Sequence, residues 1–201
     1  MNLFARAAEA LCARTAGTGT EDGTVVISRN HDEPTCPFER GVPLEATFGG
    51  RTAQFVTGAP VEARVRVSML FGAPLEGERE RSAAGAVINA VAGFFGFARN
   101  VRSCNPDCRS QCLARFAAET ACDRTFLVGA SPVLERALAG RLVEEAERAD
   151  LLVVLGHGLA SGEGLACVEE ACGCREVLMV GPSTAGTAAL LELPHWCPYG
   201  R

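Results

Sequence analysis

Two stretches decide the fold. The first is Leu151-Leu152-Val153-Val154-Leu155, which opens onto Gly156-His157-Gly158-Leu159-Ala160-Ser161-Gly162-Glu163-Gly164. The second, Val177-Leu178-Met179-Val180, opens onto Gly181-Pro182-Ser183-Thr184-Ala185-Gly186 on the same plan. Each is a short, unbroken apolar run leading through a glycine-rich loop into a helix. Unbroken apolar strands are what a parallel sheet covered on both faces requires. The two are therefore expected to be adjacent, buried and parallel, with their loops at one edge. Ligands of such sheets sit beyond the carboxyl ends of the strands, where glycine lets backbone N–H groups approach. The candidate ligand contacts are Gly156, His157, Gly158, Ser161, Gly162, Gly181, Pro182, Ser183 and Thr184, and the expected ligand is an oxygen-rich anionic group. The spacing is neither a dinucleotide fingerprint nor a phosphate loop, because the third glycine is misplaced and Lys is absent. His157 reads as a general acid/base, a ligand, or a merely hydrogen-bonded loop residue.

Working outward, Thr125 to Val128 reads as a third strand, Pro132 to Ala149 as a helix, and Pro106 as the start of a helix ending near Ala121. This alternation implies a parallel sheet with right-handed crossovers. The first half reads differently. A helix over Asn2 to Arg14 precedes a strand at Thr24 to Ser28, and Gly49-Gly50 joins two further strands as a type I′ hairpin. Val61, Ala63, Val65, Val67 and Met69 alternate with polar residues and are expected on one buried face. A helix from about Arg79 to Phe97 follows, and its polar intrusion, Asn89, either pins a neighbouring loop or lines the site. The fold class is α/β, with residues 1–100 as a meander-plus-helix part and residues 101–201 as the parallel-sheet part.

Composition narrows the function classes. A formal net charge of −5 argues against a nucleic-acid surface. No apolar run reaches the ~20 residues of a membrane span, and Arg6 and Glu9 interrupt any signal-peptide core, so a cytoplasmic location is expected. All 19 basic residues are Arg. The ten cysteines suggest metal or redox chemistry in an anaerobic host rather than disulfides. Cys104, Cys108 and Cys112 recur every four residues, a spacing that places helical side chains on one face. They are the candidate ligands of an iron–sulfur cluster or zinc, with Cys122, Cys36, Cys197 or His195 as fourth ligand; redox-active or unligated thiols are the competing readings.

Ile88-Asn89-Ala90 in an apolar helix, the loop from Gly156 to Gly164 and the run Gly181-Pro182-Ser183-Thr184 together resemble the heavy-metal chelation family of uncharacterised proteins from anaerobes. The resemblance implies an enolase N-terminal-like subdomain joined to a Rossmann-like domain, with a ligand site in the cleft between them and Asn89 beside it. It further implies a protein that binds a small anionic or metal-chelating molecule, in metal homeostasis or metallocofactor assembly. Two alternatives stay open: an enzyme acting on a pterin-, flavin- or nucleotide-like compound, and an iron–sulfur or zinc protein without a small-molecule site. Whether a reaction is catalysed is left undecided, as is a homodimer.

Overall fold

The computed structural model describes residues 2–30, 32–120 and 124–201. Helix α1 (Leu3–Thr15) is capped by Asn2, whose side chain accepts from the Ala5 N–H at 2.9 Å. Strands β1 (Thr24–Arg29), β2 (Val42–Phe48), β3 (Arg51–Thr57) and β4 (Ala63–Arg66) form an antiparallel sheet in the order β3-β2-β1-β4. The β2–β3 connection is the expected two-residue turn, with Gly49 and Gly50 at φ of 56° and 80°, angles that only the primed turns require. Alternation places Val25, Ile27, Leu44, Ala46 and Phe55 in the core. Only part of the Val61 to Met69 expectation holds. The strand stops at Arg66 and a tight turn over Val67–Leu70 rotates the chain, burying Val67 and Leu70 while leaving Met69 65% exposed.

The second sheet is wholly parallel: β5 (Thr125–Val128), β6 (Leu151–Val154), β7 (Glu176–Val180) and β8 (His195–Trp196), in that order. Short strand β8 was hidden in sequence by its length, two residues between Pro194 and Pro198. Side chains alternate between two apolar clusters. Leu151, Val153 and Leu155 pack with Leu134 and Leu138 around α4 (Pro132–Ala137), and with Phe116 of α3 (Arg109–Glu119). Leu152, Val154 and Met179 pack on the opposite side with α6 (Gly162–Ala171) and α7 (Ala185–Leu191). The β5-to-β6 connection carries α4 on one face of the sheet, and the β6-to-β7 connection carries α6 on the other. Helix α4 is also shorter than expected. Gly140 adopts φ of 84°, after which Leu142 bridges Thr125 beside the sheet.

Helix α2 (Glu78–Phe94) is the spine between the halves. Its N-terminus is fixed by Glu80, whose carboxylate accepts from the Glu76 and Gly77 N–H groups. It packs on β2 and β3 on one side and on α7 on the other, so the larger apolar cluster runs through both halves. Asn89 is fully buried at its centre. Its amide donates to the carbonyls of Gln54, Pro182 and Ser183 at 2.9–3.1 Å and accepts from the Gly186 N–H at 2.8 Å. Of the two sequence readings, pinning a loop is therefore the observed one, and the amide has no group left over for a ligand. No helix among the described residues is long and apolar enough to cross a membrane.

Removing Asn89 strands backbone groups from both halves at once. Each buried polar group left unpaired costs about 1–3 kcal/mol. Asn89→Ala is accordingly expected to lower the unfolding free energy by roughly 3 kcal/mol or more in urea titration. A loss below about 1 kcal/mol would mean the clamp is not energetically important.

Candidate functional site

The two glycine-rich loops lie side by side at the carboxyl ends of β6 and β7, as the parallel pairing demands. After β6 the chain enters a short helix, α5 (Gly156–Ala160), and breaks at Ser161, which caps α6 by accepting from the Gly164 N–H at 3.0 Å. The Ser161 hydroxyl also donates to Gly158 O at 2.8 Å. After β7, Gly181 takes φ of 87°, which a side chain would resist, and a turn over Pro182–Thr184 feeds α7. Thr184 donates back to Gly181 O, while Ser183 Oγ accepts from the Val56 N–H of β3 at 2.8 Å.

The structure separates the expected residues into two centres rather than one. Asn89, Gly156, Gly181, Pro182, Ser183 and Thr184 are buried together beneath the meander half. At their middle stands Glu39, a residue that sequence reasoning passed over. Its Oε1 accepts from the Ser183 N–H at 3.2 Å, with the Gly156 N–H and the Ser183 hydroxyl also turned towards the carboxylate. There is little spare room: a Cβ built on Gly156 or Gly181 would lie 3.2 or 3.1 Å from Oε1. These donors are taken by the chain's own Glu39 carboxyl group. Burial pushes the Glu39 carboxyl from its usual range up to about 7, against the Ser183 and Gly156 hydrogen bonds that hold it down. Its second oxygen, Oε2, is buried with no hydrogen-bond partner.

His157, Gly158 and Ser161 belong to the other centre. They line a cleft of about 860 Å³ at the ends of β5 and β6, closed on the far side by Arg40, Gly41, Gly58 and Glu78 of the meander half. Gly158 is packed against the Val128 carbonyl with no space for a side chain. His157 Nδ1 accepts from the Arg40 N–H at 3.4 Å, and Nε2 faces the Ala130 carbonyl at 3.1 Å, which places the proton on Nε2. Burial lowers its pKa, opposed by the Ala130 hydrogen bond. Both ring nitrogens are thus committed to backbone. Gly162 is exposed and approaches Arg81, a buried guanidinium that donates to Ala160 O at 2.7 Å and to the Leu75 and Glu76 carbonyls.

Cys36, Cys104, Cys108, Cys112 and Cys197 lie near one another on the Phe116 side of the parallel sheet. Cys108 ends a tight turn over Pro106–Cys108 that leads directly into α3 at Arg109, with Cys112 in that helix and Cys104 before the turn. Cys104 and Cys112 are buried and Cys108 half-buried. Burial first, then the neighbouring thiols Cys104 and Cys108, raise Cys112 to about 11. Burial, Glu39 and nearby thiols raise Cys197 to about 12, and Cys36 is likewise driven well above its usual value. These thiols are protonated near neutral pH. Among the described residues no three His, Cys, Asp or Glu side chains are grouped to hold one metal ion. His195 is engaged by Gly181 O at 2.9 Å, and Cys122 lies outside the described residues.

No family model and no curated protein matches the chain. Solved structures do match. A DUF364-family protein of unknown function from Pyrococcus horikoshii superposes with a TM-score of 0.52 at 12% identity, over 91% of this chain and 80% of that one. A second DUF364-family protein of unknown function, from Desulfitobacterium hafniense DCB-2, gives 0.50 at 19% identity over 92% and 81%. At these identities the likeness establishes the two-part α/β fold alone.

The His157 environment sets a pH dependence. Its folded pKa lies below the unfolded value of about 6.5, so its contribution to stability is present above that value and is lost as pH falls through the folded one. Nitrogen-15 NMR is expected to show the Nε2–H tautomer and a midpoint below about 6.5. A midpoint above that value, or the other tautomer, would contradict the hydrogen bonding described.

Proposed function

We propose that the chain is a small-molecule or metal-chelate binding protein whose ligand sits in the cleft between the meander half and the carboxyl ends of β5 and β6. The observation that carries this reading is the cleft itself, about 860 Å³ and walled by both halves. Pockets for small ligands commonly fall between roughly 300 and 1,000 Å³. Its charged lining sets Arg40 against Glu78, Glu144, Glu145, Glu147 and Glu163. Such an excess of carboxylates favours a polar ligand that presents positive charge, such as a metal already held by a chelator or a protonated amine, over a bare anion. The use of the Ser183 and Gly156 donors by Glu39 supports the same preference. Because both His157 nitrogens are bonded to backbone, the ring shapes the cleft wall, and the reading is one of binding rather than catalysis.

Gly58 stands at the mouth of the cleft, where an added Cβ meets only the Glu78 carboxylate at 3.4 Å. Gly58→Trp therefore puts an indole into the opening without disturbing the backbone. Thermal-shift screening with chelated divalent cations and with polyamines should find a ligand that stabilises the wild type. At a hundredfold excess over Kd the gain is about 2.7 kcal/mol, or roughly 5–10 °C for a chain of this size. The variant is expected to lose that shift while keeping its own Tm. Equal stabilisation of both proteins would place the ligand elsewhere.

A further inference from the structure

Five of the chain's ten cysteines meet at one place, although they come from three separate stretches of sequence. Cys112 is at the middle. Cys104 and Cys108 neighbour it from its own segment, Cys197 from the tail, and Cys36 from the loop before β2. Cys197 also neighbours Cys104, whereas Cys36 stands at the edge, against Cys112 and Cys197. We propose that Cys104, Cys108, Cys112 and Cys197 form a thiolate metal centre that takes zinc or an iron–sulfur cluster. The cleft is lined by Cys167 and by none of these four, so the proposal stands apart from the reading of the cleft as a binding site.

Local structure brings the four together. The Cys108 N–H donates to Asn105 O at 3.0 Å, which turns the chain between Cys104 and α3. Cys108 has right-handed helical angles, φ −83° and ψ −9°, and stands one turn before Cys112. Residues four apart on a helix hold their Cβ atoms ~5–6 Å apart on one side. The tail is tied to the same segment. Arg102 and Arg201 exchange backbone hydrogen bonds at 2.7 and 2.9 Å, Arg201 Nε donates to Ser103 O at 3.0 Å, and Asn100 donates to Cys197 O at 2.6 Å. Gly200 leaves room for the thiol, since a Cβ there would lie 2.8 Å from Cys197 Sγ. Thiolates select soft and borderline metals, and four of them are the set of a structural zinc and of the common iron–sulfur clusters. Cys104 and Cys112 are buried while Cys108 and Cys197 are half-buried, which shelters the donors and leaves one side for entry. On binding, each thiol gives its proton to solvent. The negative charge left on the centre is offset by Arg109 and Arg201 beside Cys104 and by Arg115 beside Cys112. Arg109 Nε is buried with no hydrogen-bond partner, a donor that a metal-bound sulfur beside it would satisfy. As folded, the thiols are not grouped around one point. Loading draws them to ~2.3 Å from the metal, by turning side-chain bonds over a Cβ separation that allows it.

The test uses the full chain, prepared without oxygen, reduced and stripped with a chelator, then offered zinc alone or ferrous iron with sulfide. After desalting, elemental analysis is expected to find stoichiometric zinc in the first arm, or iron with a visible absorption that dithionite bleaches in the second. The arm that loads identifies the metal. Losing only a group that hydrogen-bonds a metal ligand costs about 10–100-fold in affinity, so Cys108→Ser with Cys112→Ser should weaken binding by at least that much. Should that variant fold poorly by circular dichroism, Cys108→Ser alone serves, because its side chain is only half-buried. Cys174→Ser, at an exposed thiol outside the centre, should bind as the wild type does. Bound metal should also slow alkylation of Cys108, read by mass spectrometry, several-fold relative to Cys174. Wild type that retains metal in neither arm, undiminished binding in the Cys108 variants, loss of binding in Cys174→Ser, or equal slowing at Cys108 and Cys174 would overturn the proposal.

Discussion

The hydrogen bond from the Ser183 N–H to Glu39 Oε1, at 3.2 Å, is the contact on which the arrangement of the two halves turns. The carboxyl edge of a parallel sheet exposes backbone donors that need a partner. Here a loop of the antiparallel half inserts a carboxylate among them. Asn89 closes the same junction from the helix side by accepting from Gly186 and donating to Gln54, Pro182 and Ser183. Gln54 extends the network, taking the Ser103 N–H at 2.7 Å and donating to Pro34 O. The halves are joined by apolar packing, and their register is set by a few buried polar side chains.

Such a junction has an energetic asymmetry. Asn89 is neutral and fully partnered, so it stabilises at every pH. Glu39 is half-partnered, and its charge is costly. A shift from 4.5 to about 7 corresponds to roughly 3 kcal/mol against the ionised form. That is a substantial share of the ~5–15 kcal/mol by which a domain is held folded. The cleft is the complementary feature, since its floor is backbone and glycine, its rim is carboxylate, and its far wall includes Arg40 and Gly41 beside Glu39.

Much of the fold was legible because periodicity reports burial. The unbroken runs at Leu151 and Val177 fixed a parallel sheet, Gly49-Gly50 fixed a hairpin, and one amide in an apolar helix marked the joint at Asn89. What was illegible depended on tertiary context. Glu39 carries no local signal, because a carboxylate in a loop beside Phe38 and Arg40 reads as surface until the second half covers it. His195 and Trp196 become a strand only because β7 offers an edge. The glycine loops were read as one site, yet adjacent loops at a sheet edge can face different ways: the Gly181 loop is covered by the meander half, whereas His157, Gly158, Ser161, Glu163 and Gly164 of the other line the cleft.

The claim that Glu39 holds the carboxyl edge of the parallel sheet is tested most directly by site-resolved hydrogen exchange in wild type and Glu39→Ala. The amides of Gly156, Ser183 and Arg40 should exchange slowly in the wild type and lose that protection in the variant, while Val153, in the middle of β6, keeps its own. Unchanged protection at Gly156 and Ser183 would contradict the account.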